Sequence, residues 1–259
     1  MRRIVVANQK GGSGKTTTVV NLAAAFAERN HRVLVVDFDQ QANASEWLGC
    51  GDGGRNLLEV MTNNVNLTDI VHDTNIRGVS LIPSSTWLAS VERALANEPG
   101  AETIFRAKLA KLPKRWDLCL IDSPPALGIM TISALVACNH VLVPVEASAL
   151  ALRGLATLTQ TVNKVAERLN PRLSIDAVLA CRVDRRRNLA TDVVAELRKR
   201  LGDLVLDTEI RENVRLTEAP SFTRPITVYA PSSPGAEDYR SAASELLRRW
   251  KQSTRSKRR

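Results

Sequence analysis

The sequence predicts an α/β fold: a single domain with a mostly parallel, twisted β-sheet and helices on both faces. Three observations predict it. Short β-branched runs alternate with longer amphipathic stretches along the 259 residues, the pattern of strand–helix–strand crossovers. Several of these runs, such as "VLVV" and "LCLI", are apolar without alternation, as strands buried on both faces should be. A glycine-rich loop joins the first apolar run to the first helical stretch.

Strands are expected at 4–7, 33–36, 79–82, 118–121, 141–145 and 175–180, and helices at 14–28, 149–169, 189–201 and 236–250. In the last helix Tyr239, Ala242, Leu246 and Trp250 recur at helical spacing, which reads as a core-facing stripe. Residues 51–56 and 83–85 read as loops. No internal repeat or domain boundary is evident, so residues 1–250 are expected to form one domain. The basic stretch 251–259 is expected to be a disordered tail.

Composition narrows the classes. The formal net charge is +9 with 44% hydrophobic and only 4% aromatic residues, which favours a polyanionic partner or an anionic surface. Cys50, Cys119, Cys138 and Cys181 form no C-x-x-C pair, and His31, His72 and His140 have no metal-ligand spacing. Cys119 and Cys138 lie in apolar runs and read as buried thiols. Met1-Arg2-Arg3 leads straight into a strand, too short a lead for a signal peptide, and no run approaches the roughly 20 apolar residues of a membrane span. A cytoplasmic location is expected.

The chemistry begins at "ANQKGGSGKTTTVV". Gly14-Lys15-Thr16 ends the loop as a phosphate-binding loop should, although Gln9 stands where the ordinary G-x-x-x-x-G-K-[ST] pattern has its first glycine. Gly11, Gly12 and Gly14 let backbone N–H groups turn toward phosphate oxygens, and the helix N-terminus adds a favourable dipole. Lys15 would reach the β- and γ-phosphates and the Thr16 hydroxyl would ligate Mg²⁺. Asp37 and Asp39 close the second strand and Asp122 a later one, supplying carboxylates where an open parallel sheet binds ligands.

These residues resemble a family. "KGGSGKTT", Lys10 to Thr17, is similar to the deviant Walker A motif of the ParA/MinD class of P-loop ATPases. "VDFDQQANAS" resembles the Walker A′ segment of that class and "LIDSPPALG" its Walker B. "LIPSS", "VLVPVEASALALRGL" and "IRENVRLTEAPSFTRPITVYAPSSPGAEDYRSAASEL" resemble the ParA/Soj partition branch. The likeness runs from Ile4 to about Arg249, counting from the first expected strand to the last helix.

The resemblance implies an ATPase using ATP and Mg²⁺. Lys10 to Thr17, Ser13 included, would bind ATP. Lys10 would cross to the nucleotide of a second subunit in an ATP-sandwich homodimer, acting like an arginine finger. Asp37 would position the attacking water, and Asp122 would act through Mg²⁺ with Thr16 and Asp39. Asp37, Asp39 and Gln41 would form the switch that senses the γ-phosphate. Two residues depart from the family pattern: Gln40 and Ala42 stand where its switch has proline and glycine.

The resemblance also implies a DNA partition protein associated with the nucleoid. The dimer would bind double-stranded DNA non-specifically through Arg186 and Arg215, and a ParB-like centromere-binding partner would stimulate slow hydrolysis. Arg182, Arg185 and Arg187 enlarge the basic patch. The first strand leaves no room for an N-terminal helix-turn-helix domain, so sequence-specific repression is not expected. The alternative is a MinD-like membrane-cycling ATPase, but "RRWKQSTRSKRR" offers no apolar face for insertion. Iron–sulfur carriers of this class need cluster cysteines that are missing here. A metabolic ligase on the same fold gains no support from the basic surface.

Overall fold

A computed structural model describes residues 1–50, 57–62, 65–95, 97–148 and 151–256. The loop expected at 51–56 lies outside the described residues. In chain order the elements are β1 (Arg2–Val6), α1 (Lys15–Ala27), β2 (Val33–Asp37), α2 (Asn43–Trp47), α3 (Leu57–Thr62), β3 (His72–Asp73), β4 (Val79–Ile82), α4 (Val91–Leu95), α5 (Ala101–Ala110), β5 (Leu118–Asp122), α6 (Ile129–Ala137), β6 (His140–Glu146), α7 (Ala151–Arg168), β7 (Ser174–Cys181), α8 (Asn188–Leu201), α9 (Val214–Glu218), α10 (Ile226–Tyr229) and α11 (Pro234–Ser256).

Among the described residues the sheet has seven strands in the order β3-β4-β2-β5-β1-β6-β7, all parallel except the edge strand β3. All six expected strands are present, each within about two residues of its expected ends. The sheet is buried on both faces because successive side chains in a strand point oppositely. Val5, Leu34, Val36, Cys119 and Ile121 join a core with α3 to α7. Ile4, Val6, Val33, Val35 and Leu120 join a second core with α1, α2 and α11. Burial pushes the Cys119 thiol up to about 12, so it is an inert core residue.

The helix α11 runs longer than expected at both ends. Pro234 opens it, where a missing N–H costs nothing, and it continues to Ser256, into the stretch expected to be a disordered tail. Its stripe Tyr239, Ala242, Leu246 and Trp250 is buried against α1 and the sheet. The Trp250 indole also donates to Asp176 on β7. Sequence patterning missed the ten-residue α5 and several other helices. The α2, α3, α4, α9 and α10 segments have four to six residues each, too short to show a period. The α6 segment is apolar nearly all round, so it has no polar face to reveal it.

The register places the chemistry. β2 pairs with β5 so that Asp37 lies opposite Asp122, and β1 pairs with β5 so that Val6 also meets Asp122. The loop that leaves β1 therefore starts beside both acids, at the carboxyl edge of the sheet.

Candidate nucleotide site

The loop between β1 and α1 turns through two left-handed glycines, Gly12 (φ 72°) and Gly14 (φ 88°). Only glycine adopts that backbone at little steric cost. Gly14 caps α1 with no side chain on the first-turn amides, which leaves N–H donors open to an anion. A Cβ built on Gly11 or Gly12 would meet nothing within 4 Å, so both border open space. The buried Ser13 hydroxyl has no protein partner among the described residues. Thr17 supplies a backbone carbonyl to Asn21, which fixes the first turn of α1.

The two lysines lie in different environments. Lys15 is 6% exposed, and its ammonium donates to the Lys10 carbonyl at 3.3 Å. Burial lowers its pKa, opposed by the charges of Asp122 and Asp39. It therefore lies inside the cradle between loop and carboxylates. The Lys10 ammonium turns outward to the Glu146 carboxylate and to Ser148 Oγ at 3.3 Å. Arg182 Nη1 approaches the other Glu146 oxygen at 3.3 Å. Asn8 sets this turn, accepting from the Lys10 N–H at 3.1 Å and donating to the Pro144 carbonyl at 2.7 Å.

The carboxylates also differ. Thr16 Oγ1 donates to Asp122 Oδ2 at 2.7 Å, while buried Asp122 Oδ1 has no donor among the described residues. Burial, followed by the charge of Asp37, raises the Asp122 pKa well above the usual range. A carboxylate with one spare buried oxygen beside a threonine hydroxyl fits the outer sphere of a hydrated Mg²⁺. No cluster of three or more His, Cys, Asp or Glu residues suited to a metal is found among the described residues. A metal held mainly by waters, one hydroxyl and phosphate oxygens needs none.

Asp37, expected to position the attacking water, lies inside the turn that follows β2. It is wholly buried, Oδ1 accepts the Asp39 N–H at 3.1 Å, and Oδ2 accepts Ser45 N–H and Oγ–H at 2.8 and 2.7 Å. With both oxygens already accepting from the protein, it braces the turn. Asp39 is the acid with a spare oxygen: Oδ1 accepts the Gln41 N–H at 3.0 Å, and Oδ2 takes no donor among the described residues. Ser84 ties the turn down, donating its hydroxyl to the Asp39 carbonyl at 2.6 Å and its N–H to Ser45 Oγ at 2.8 Å. Ala42 takes φ 53° where the family pattern has glycine, so the altered loop keeps a left-handed residue.

Arg186 and Arg215 lie on the surface. Arg186 pairs with Asp184 at 2.9 Å, and Arg187 shares that carboxylate at 3.3 Å. Arg185 and Arg198 share Glu209 at 3.1 and 2.9 Å. Arg215, on α9, pairs with Glu218 at 2.8 Å. At Asp184, Glu209 and Glu146 two cations meet one anion, so the patch keeps a positive surplus. Asn8, Ser45, Ser84 and Glu146 are site residues that the sequence reading did not single out.

A phosphate-binding loop facing two strand-end acids at the carboxyl edge of a parallel sheet defines a nucleotide-binding P-loop protein. Comparison with known proteins narrows this. The AAA_31 family, an AAA domain, matches residues 1–175. The chromosome-partitioning ATPase Soj of Thermus thermophilus is 43% identical over 249 residues, covering 96% of each chain. The chromosome partitioning protein ParA of Myxococcus xanthus is 38% identical over 250 residues, covering 96% of this chain and 88% of that one. Cobyrinic acid a,c-diamide synthase of Mycobacterium smegmatis, solved with an ATP analog and magnesium, superposes with a TM-score of 0.85 at 33% identity, over 97% of this chain and 96% of that one. The chain belongs to the ParA/MinD class of P-loop ATPases.

Proposed function

We propose that the protein is an ATP-dependent DNA partition switch. The observation that carries this reading is the division of labour between its two loop lysines. Lys15 turns back into its own loop, donating to the Lys10 carbonyl, whereas Lys10 reaches away to the Glu146 carboxylate. A cation held outside its own site is suited to a neighbour's triphosphate.

In this reading ATP binds on the amides of Lys10 to Thr17 with Lys15 on its phosphates. Mg²⁺ would be held by Thr16 and, through water, by Asp122, and would supply charge neutralisation to those phosphates. Asp39, rather than Asp37, orients the attacking water, because its second oxygen takes no donor among the described residues and its charge acts on Lys15. Two chains close around two nucleotides, each lending Lys10 to the other. The dimer holds duplex DNA through phosphate contacts from Arg186 and Arg215, which carry affinity without sequence information. A ParB-like partner stimulates slow hydrolysis, and loss of the γ-phosphate releases the switch turn.

A MinD-like membrane cycle has less support. That reading would lay an apolar helix face on the membrane, and the apolar stripe of α11 is buried in the core instead. No described helix is long and apolar enough to cross a membrane. The ligase reading draws on a relative of lower identity than the partition proteins. Size-exclusion chromatography with ATP, ADP and a duplex oligonucleotide tests the proposal. ATP should yield a dimer that binds the duplex, and a monomer that ignores DNA at saturating ATP and magnesium would sink it.

A further inference from the structure

We propose that Trp47 is a positioning residue, coupling the nucleotide-sensing turn to the segment that carries Arg215. The proposal rests on the DNA reading above.

The segment from Asn213 to Ala230 has no sheet ladder; it is built of the short helices α9 and α10 with a 3-10 helix, Ala219–Phe222, between them. Its backbone is held instead by side chains from elsewhere in the fold. Trp47 Nε1 donates to the Arg224 carbonyl at 2.8 Å, and that carbonyl has no other donor among the described residues. Two residues on, the Ile226 N–H donates to Asn21 Oδ1 of α1 at 2.7 Å. Asn75 Nδ2 holds the Thr223 carbonyl at 3.2 Å, and Thr223 itself has φ 50°. Residues 223–226 of the segment are thus held by fixed points outside it.

Trp47 is the fixed point that leads to the nucleotide. It ends α2, the five-residue helix entered directly from the switch turn, and its ring is 4% exposed. On the same helix Ser45 gives both its N–H and its hydroxyl to Asp37 Oδ2. Downstream, α10 ends in Tyr229, whose hydroxyl donates to Glu218 Oε2 at 2.9 Å. Arg215 Nη1 donates to that same oxygen at 2.8 Å. A continuous path therefore runs from the Asp37–Asp39 turn through α2, the Trp47 indole, the Arg224 carbonyl, α10, Tyr229 and Glu218 to Arg215. A helix of five residues moves as one body, so displacing the turn displaces the indole. Spatial continuity alone does not establish coupling; differential energy between nucleotide states does.

Trp47→Phe keeps a ring in the core and deletes the donor. In the wild type, amides of 214–229 should exchange at least about fivefold more slowly with ATP than with ADP, the lower end of ordinary allosteric coupling. Trp47→Phe should erase that difference, and lower the ATP-to-ADP ratio of duplex affinities by a similar factor, while ATP affinity is unchanged. Tyr229→Phe cuts the same path at a half-buried site. It should reproduce the lost ratio, and the double variant should lose no more than either single one. If Trp47→Phe fails to bind ATP, Tyr229→Phe decides alone. The proposal is overturned if exchange in 214–229 ignores the nucleotide in the wild type, or if folded variants keep the wild-type response. Should the wild type bind no DNA, the DNA reading fails while the exchange comparison still decides the coupling.

Discussion

The Lys10 ammonium and Arg182 Nη1 approach opposite oxygens of the Glu146 carboxylate. Arg182 reaches it from a left-handed backbone, φ 54°, that a non-glycine residue adopts only when its surroundings hold it there. Glu146 thus keeps Lys10 out of its own cradle, with Ser148 as a second acceptor. Partly exposed ion pairs are worth about 0–1 kcal/mol, so this one parks the lysine without locking it.

Two substitutions test this arrangement. Glu146→Gln should lower the ATP concentration for half-maximal dimerisation by up to about fivefold, the factor that 1 kcal/mol represents. Lys10→Ala should leave ATP binding intact and abolish the ATP-dependent dimer. Sedimentation velocity across an ATP titration reads both, and persistent dimers in Lys10→Ala would remove the trans role.

Asp37 and Asp39 should separate cleanly when each is replaced by alanine. Removing Asp37 strands the buried donors of Ser45 and Asp39, at about 1–3 kcal/mol for each unsatisfied group. The expected result is a lower midpoint in urea. Asp39→Ala leaves fewer bonds unmade and should instead yield a folded dimer that binds ATP and turns over at least about 100-fold more slowly, the lower range for acid–base or positioning groups. A phosphate-release assay beside a denaturation curve distinguishes the two.

The basic surface carries its own test. Arg215→Glu and Arg186→Glu should each weaken duplex binding at every sequence while sparing nucleotide affinity. Each should also flatten the log–log salt slope by about 0.9, the value of one phosphate that the variant no longer neutralises. The pairs with Glu218 and Asp184 are solvent-exposed and cost little to break. Fluorescence anisotropy at several salt concentrations checks this, and an unchanged slope would place the DNA-binding surface elsewhere.

What the sequence made legible follows from the physics of each signal. Apolar runs such as 33–36 and 118–121 are buried on both faces, so composition alone betrays them, and their closing acids mark the carboxyl edge. Glu146 closes β6 just as Asp122 closes β5, and the same signal could have found it. Ser45 and Ser84 could not be found that way, because a serine in a loop looks the same whether or not it braces a carboxylate. Nor could spacing tell Asp37 from Asp39. A small offset at a strand end decides which carboxylate is swallowed by the turn and which keeps a free oxygen.

The burial of Asp37 has a further consequence in acid. Loss of solvent, opposed by the bonds from Ser45 and Asp39 and assisted by the charge of Asp39, raises its pKa to about 6. The unfolded chain holds an ordinary aspartate near 3.9. Between these values the folded state binds a proton that the unfolded state has released, so stability falls as pH rises. The contribution is fully present below about pH 4, is lost by pH 6 and is flat above. Asp122 shifts in the same direction through burial and the neighbouring Asp37 charge, so the two titrate as a coupled pair. Surface acids such as Asp184 and Glu218, lowered by their arginine partners, slope the opposite way. The measurement must therefore be a difference. Urea unfolding of nucleotide-free wild type and Asp37→Asn from pH 4 to pH 7 should show the variant less stable overall. Its stability relative to wild type should improve as pH rises toward 6, because it has no buried carboxyl left to ionise. A constant gap across that window would mean that Asp37 is already ionised in the folded protein at pH 4.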